Sequence, residues 1–240
     1  MKKTIFSVML LAAALLPAGC VQTVTSKDTA IPLYRENIEW CDVWYANTTK
    51  ADKPAVMIVG DSISKGYGGV VEQSLAGKAY MARLSTSRGI CDPCLLDELR
   101  AMVRHHQFAV VHFNNGLHGA DYTDAEYEAG YRKVVKLLQT EANGAKVILA
   151  SSTFVLPGWR NWGKTDEANR KMIEARNAIA KRLAAEAGIP FNDLGAVTDG
   201  HPDYYNASDK IHYNGTGYAK LGAKVSEAIL GELQNRKSKD

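Results

Sequence analysis

The chain has 240 residues, 46% of them hydrophobic and 23% charged, with a formal net charge of +3. That length suits one sizeable hydrophobic core and is short for two. The near balance of charge leaves no electrostatic footprint for nucleic acid or an anionic surface as a partner.

Met1-Lys2-Lys3 is a short basic start, and Ile5 to Leu16 is an apolar run too short to span a bilayer. Small residues follow and end in Ala18-Gly19-Cys20. Residues 1–19 therefore read as an export signal. The ending resembles the lipobox of bacterial lipoproteins, with Leu16 four residues before the cysteine rather than three. That resemblance implies lipidation at Cys20, a cell-envelope location, and membrane contact only through that anchor. The oligomeric state is left open. Residues 20–50 read as a tether followed by a segment packed on the domain edge, where Trp40, Trp44 and Tyr45 cluster. Residues 51–240 read as a single domain.

Short apolar runs are expected strands at Ala55–Val59, Ala79–Leu84, Phe108–Phe113, Lys146–Ala150 and Ile189–Phe191. Helices are expected between them. One covers Leu95–His106 after Pro93. A second follows the capping box Thr123-Asp124-Ala125-Glu126 and carries Tyr127, Tyr131, Val134 and Leu138 at helical spacing. A third starts near Thr165, with Met172, Ala175, Ile179 and Leu183 as its apolar stripe, and stops at Gly188. A last helix is expected from about Gly217 to Leu233. This alternation means an α/β fold with a mostly parallel sheet, whose sites form at the carboxyl ends of strands. Three unusual loops sit at such ends: Gly60–Gly66, Asn114–Gly119 and Ser151–Gly163.

Cys91-Asp92-Pro93-Cys94 has C-x-x-C spacing, but no second C-x-x-C or H-x-x-x-H supplies further zinc ligands. A structural disulfide is expected instead, with Cys91–Cys94 the local choice and Cys41 with either the alternative.

The stretch Val59-Gly60-Asp61-Ser62-Ile63-Ser64-Lys65-Gly66 puts a serine directly behind a buried strand. A serine attacks only when a base removes its proton, and that base is most often histidine. Of the six histidines, His105 and His106 end a helix, His112 lies in a strand, and His201 sits in a loop before Pro202. His212 differs. It lies just before the last helix with Asp209 three residues upstream, a spacing at which a carboxylate can reach the imidazole and fix its tautomer.

Gly60-Asp61-Ser62 after the first strand, with Asp209-x-x-His212 before the last helix, resembles the SGNH hydrolase (GDSL esterase/lipase) superfamily across nearly all of residues 54–233. The resemblance implies a flavodoxin-like three-layer α/β/α sandwich with five parallel strands. It implies Ser62 as nucleophile, His212 as base and Asp209 as its orienting acid, without metal or organic cofactor. Gly89, in Ser87-Arg88-Gly89-Ile90, matches the family's second block and so is implied as an oxyanion amide. The third block, Gly-x-Asn-Asp in the family, departs here: the chain reads Asn114-Asn115-Gly116-Leu117-His118-Gly119. Aligning the glycines makes His118 the oxyanion side chain; aligning the asparagines gives Asn115; Asn114 is a third candidate. Trp159 and Trp162 are candidates to stack on a sugar ring, and Arg160, Asp61 and Asn114 are further candidate substrate contacts.

The expected activity is hydrolysis of carboxylic esters, with acetyl groups on carbohydrate favoured. The alternatives are a lysophospholipase, thioesterase or short-chain lipase, and a non-catalytic carbohydrate-binding envelope protein.

Overall fold

The computed structural model describes residues 31–237. The export signal, Cys20 and the first part of the expected tether lie outside the described residues. Six strands form one sheet in the order β1-β3-β2-β4-β5-β6. They are β1 (Cys41–Tyr45), β2 (Ala55–Gly60), β3 (Tyr80–Thr86), β4 (Val110–Phe113), β5 (Lys146–Ala150) and β6 (Phe191–Asn192). The last five run parallel, and β1 pairs antiparallel with β3. The helices are α1 (Ser62–Leu75), α2 (Pro93–His105), α3 (Asp124–Glu141), α4 (Asp166–Ala187), the short α5 (Gly195–Thr198) and α6 (Gly215–Lys237).

Helices on both faces explain why every residue of β2 is buried. Successive strand side chains point to opposite faces. Val56 and Ile58 join the core under α1 and α6, while Met57 and Val59 join the core under α2, α3 and α4. The result is a three-layer α/β/α sandwich of the flavodoxin-like kind. After β2 the chain steps to β3 on one side and then crosses to β4 on the other, so the switch in strand order lies between β2 and β4. In such sheets a crevice opens at that point, at the carboxyl ends of the strands.

The sheet has six strands rather than the expected five. The extra one, β1, alternates weakly between half-buried and exposed residues and exists because its backbone completes the free edge of β3. A second correction concerns Gly60–Gly66, which is not a loop: Ser62 is the first residue of α1, and the Asp61 carboxylate caps it by accepting from the Ile63 amide at 2.8 Å. The expected capping box at α3 is present in both halves, and Gly188 ends α4 in the left-handed conformation at φ 63°.

Helices α1 and α6 lie side by side at unusually close range. A Cβ built on Gly66 would fall 2.1 Å from the Tyr218 ring, and one on Gly222 would fall 2.6 Å from Val70 Cβ. Only glycine permits that approach, and its cost in helix propensity is offset by the packing it allows.

Candidate active site

Ser62 sits at the carboxyl end of β2 as the first residue of α1, where its backbone N–H has no intrahelical acceptor. His212 lies in the turn that leads into α6. Across 150 residues of chain, His212 Nε2 stands 2.8 Å from Ser62 Oγ. His212 Nδ1 stands 2.7 Å from Asp209 Oδ2. The other oxygen of Asp209 accepts from the amides of Ile211 at 3.1 Å and His212 at 2.9 Å. Lys210 makes this turn possible by taking the left-handed region at φ 64°, which a non-glycine residue adopts only where its surroundings hold it. Its carbonyl accepts from the Leu156 amide at 2.9 Å and ties the turn to the loop after β5.

Burial alone would raise the Asp209 carboxyl, but the two amides and the imidazole outweigh it and hold it below the ordinary carboxylate range. The fold thus favours its ionised form. A carboxylate fixed on Nδ1 leaves Nε2 as the acceptor facing the serine hydroxyl, the arrangement in which imidazole can take that proton.

The pair opens on a cleft of about 540 Å3. Ser62, His212, His118, Trp40, Trp159 and Trp162 line it, and Glu36, Asp61 and Asp121 supply acidic wall. That volume suits a small ligand.

A model of the GDSL-like lipase/acylhydrolase family matches residues 58–220. The chain belongs to this family. Among solved structures, it is similar to the native aryl esterase of M. smegmatis, with 21% identity, a TM-score of 0.62, and coverage of 74% of this chain and 99% of that one. The lipase/acylhydrolase from Enterococcus faecalis aligns with 21% identity and a TM-score of 0.61, covering 74% and 96%. A carbohydrate acetylesterase family member from Sinorhizobium meliloti aligns with 17% identity and a TM-score of 0.61, covering 75% and 99%. At these identities the likeness is one of fold. No curated protein matches the chain.

In this GDSL-like hydrolase the three candidates for the third-block side chain take different places. His118 lines the cleft with Ser62 and His212. Asn114 and Asn115 do not. The Asn114 amide donates to the carbonyls of Ala150 at 3.1 Å and Ser151 at 2.8 Å. The Asn115 amide donates to the Arg88 carbonyl at 2.8 Å, and its own oxygen is buried with no hydrogen-bond partner among the described residues. Both serve to hold the loop. Gly89 packs against Gly119 and Tyr122 and is not among the lining residues.

Two residues of this region carry no signal of a role in the sequence. Arg176, on α4, is 1% exposed and donates to the carbonyls of Gly116 at 2.8 Å and Gly119 at 2.7 Å. It grips the third-block loop from behind, with its guanidinium over the Tyr127 ring. Glu36 lies ahead of β1, and its Oε1 stands 2.6 Å from His118 Nδ1.

The remaining expected contacts divide. Trp159 and Trp162 line the cleft and pack edge to face at 5.9 Å. Arg160 turns away to Asp166, at 2.5 Å. Asp61 lines the cleft, though its carboxylate is committed to capping α1. The expected disulfide is absent: Cys41, Cys91 and Cys94 are free. The Cys91 thiol instead donates to the Glu126 carbonyl at 3.2 Å, and the Cys94 sulfur faces Arg35. Burial pushes the Cys91 thiol up to about 12, which keeps it protonated and slow to react.

Proposed function

We propose that this GDSL-like hydrolase is a serine esterase that removes short acyl groups, acetyl above all, from carbohydrate. The hydrogen-bonded series Ser62–His212–Asp209 carries the reading. His212 takes the Ser62 proton as Oγ attacks the ester carbonyl. The tetrahedral oxyanion is held by the Ser62 amide and by His118. Collapse expels the alcohol, which leaves with the proton from His212. Water, deprotonated by the same imidazole, then clears the acyl-enzyme. None of these steps calls for a metal or organic cofactor.

The substrate class is supported by the cleft. Indole faces such as those of Trp40, Trp159 and Trp162 suit the apolar faces of a sugar ring, and the acidic wall suits its hydroxyls. The S. meliloti neighbour is named as a carbohydrate acetylesterase family member, which agrees with this choice. The test is a series of p-nitrophenyl esters from acetyl to dodecanoyl, beside acetylated glycans assayed for released acetate. The acetyl ester should exceed the long-chain esters in kcat/KM by at least about tenfold, since each methylene in a pocket is worth that order of discrimination. A rate that rises with chain length would point to the lysophospholipase or short-chain lipase reading. Binding of glycans without turnover of any ester would point to the carbohydrate-binding reading.

We further infer a cell-envelope location with an anchor at Cys20, supported by the basic start, the apolar run and the Ala18-Gly19-Cys20 ending. Mass spectrometry of the protein from its native membrane should find a diacylglyceryl cysteine as the first residue. A mature chain beginning at any other residue would overturn this.

A further inference from the structure

The proposed oxyanion donor is a histidine, and this raises a question that an asparagine would not. An amide always has an N–H to give. A neutral imidazole has only one, and which nitrogen carries it depends on what the other nitrogen bonds. His118 Nδ1 stands 2.6 Å from the Glu36 carboxylate, an acceptor, so the Nδ1 proton is committed there. In the neutral ring that leaves Nε2 without a proton and unable to donate. Nε2 has no protein partner among the described residues. Its ring lines the cleft that holds Ser62.

We propose that Glu36 is a positioning residue that holds His118 as an imidazolium, so that Nδ1–H donates to Glu36 while Nε2–H donates to the oxyanion. This rests on the reading of His118 as the third-block donor. The ion pair also fixes the plane of the ring, with Trp40 packed edge to face against it at 6.5 Å.

Glu36 is held in place by its own segment. The Trp40 amide donates to Ser87 Oγ at 2.9 Å, and the Ser87 amide donates back to the Trp40 carbonyl at 3.0 Å. The Tyr34 amide donates to the Tyr122 hydroxyl at 3.1 Å. Residues 34–40 are thereby fastened to the end of β3 and to the turn that follows the third-block loop. Arg35 does not neutralise Glu36, because its guanidinium faces Glu39 at 2.7 Å and Asp92 at 3.6 Å.

The charges around the ring favour the cation. Glu36 faces it from the segment ahead of β1, and Asp61 acts on it from the turn between β2 and α1. Against them, Arg176 of α4 reaches the carbonyl of His118 at 3.4 Å. Arg35, Asp121 and His212 share the cleft. Burial alone would lower the imidazole, but the hydrogen bond to Glu36 and the charges of Asp61 and Glu36 outweigh it and raise it above its ordinary value.

His118 must be charged to donate, so activity falls as pH climbs through its titration, which gives kcat an alkaline limb. Glu36→Gln removes the charge that sustains the imidazolium. The alkaline limb of kcat should move down by about one pH unit or more, the usual effect of losing an adjacent opposite charge. At pH values above the displaced limb, kcat should fall about tenfold per unit, with a smaller loss on the acid side. His118→Asn should erase the alkaline limb, since an amide does not titrate, and Glu36→Gln added to it should cause no further loss.

An alkaline limb unmoved by Glu36→Gln, in a protein whose kcat does respond to His118→Ala, overturns the role of Glu36 and leaves the His118 reading standing. If His118→Ala itself leaves kcat unchanged, the donor reading falls and the Glu36 proposal falls with it. Glu36 is partly exposed, so its replacement should not disturb folding.

Discussion

Ser62→Ala should abolish ester hydrolysis, lowering turnover by roughly four to six orders of magnitude, the range seen when a triad nucleophile is removed. The expectation follows from distances. Among the described residues Ser62 Oγ is the one hydroxyl facing His212 Nε2, at 2.8 Å, and Asp209 completes the series at 2.7 Å. The oxygen caps no helix, since that task belongs to Asp61. The variant should therefore keep the thermal midpoint and circular dichroism of the parent protein. A fluorophosphonate probe should modify Ser62 and no other residue. A variant that still turns over substrate, or a label found elsewhere, would falsify the assignment.

The next largest loss is expected at His118. His118→Ala should lower kcat by roughly 10²–10³ with little change in KM, because an oxyanion donor acts on charge that grows in the transition state. His118→Asn should restore part of the loss, since an amide donates from a similar place. Asn115→Ala is the informative comparison. Its side chain is 3% exposed and spends its amide on the Arg88 carbonyl. Its replacement should cost stability, about 1–3 kcal/mol for an orphaned buried carbonyl, and show as a lowered denaturation midpoint. Should Asn115→Ala instead collapse kcat while His118→Ala is silent, the glycine-to-glycine alignment of the third block is wrong.

The pattern of what was legible before the fold was known has physical reasons. The strands β2 and β5 declare themselves because both faces are covered, so β2 throughout and β5 after Lys146 are continuously apolar. The motifs around Ser62 and His212 sit directly beside such elements and inherit their clarity. Helix α1 was hidden because Gly66, Gly68 and Gly69 lower its intrinsic propensity; packing against α6 and the sheet holds it instead. Strand β1 was hidden because an edge strand is defined by its neighbour's free backbone, and the residues of β1 show no clear period. Arg176 adjoins the apolar stripe of α4, and the carbonyls that need it belong to a loop about 60 residues away. Glu36 lies in a segment with no periodicity at all, and meets His118 across 82 residues. Contacts of that kind leave no local trace.

The glycine seam between α1 and α6 has a bearing on when the site comes into being. Helix α1 begins at Ser62, and α6 begins three residues after His212, so each helix carries one partner of the Ser62–His212 bond at its amino end. Gly66 of α1 lies against the Tyr218 ring of α6 and Gly222 of α6 lies against Val70 of α1, so at each point one helix's backbone meets a side chain of the other and close packing sets the separation. The two ends come into register only when the final helix has closed onto the first. Until that closure Ser62 has no histidine beside it, and its hydroxyl is that of an ordinary alcohol.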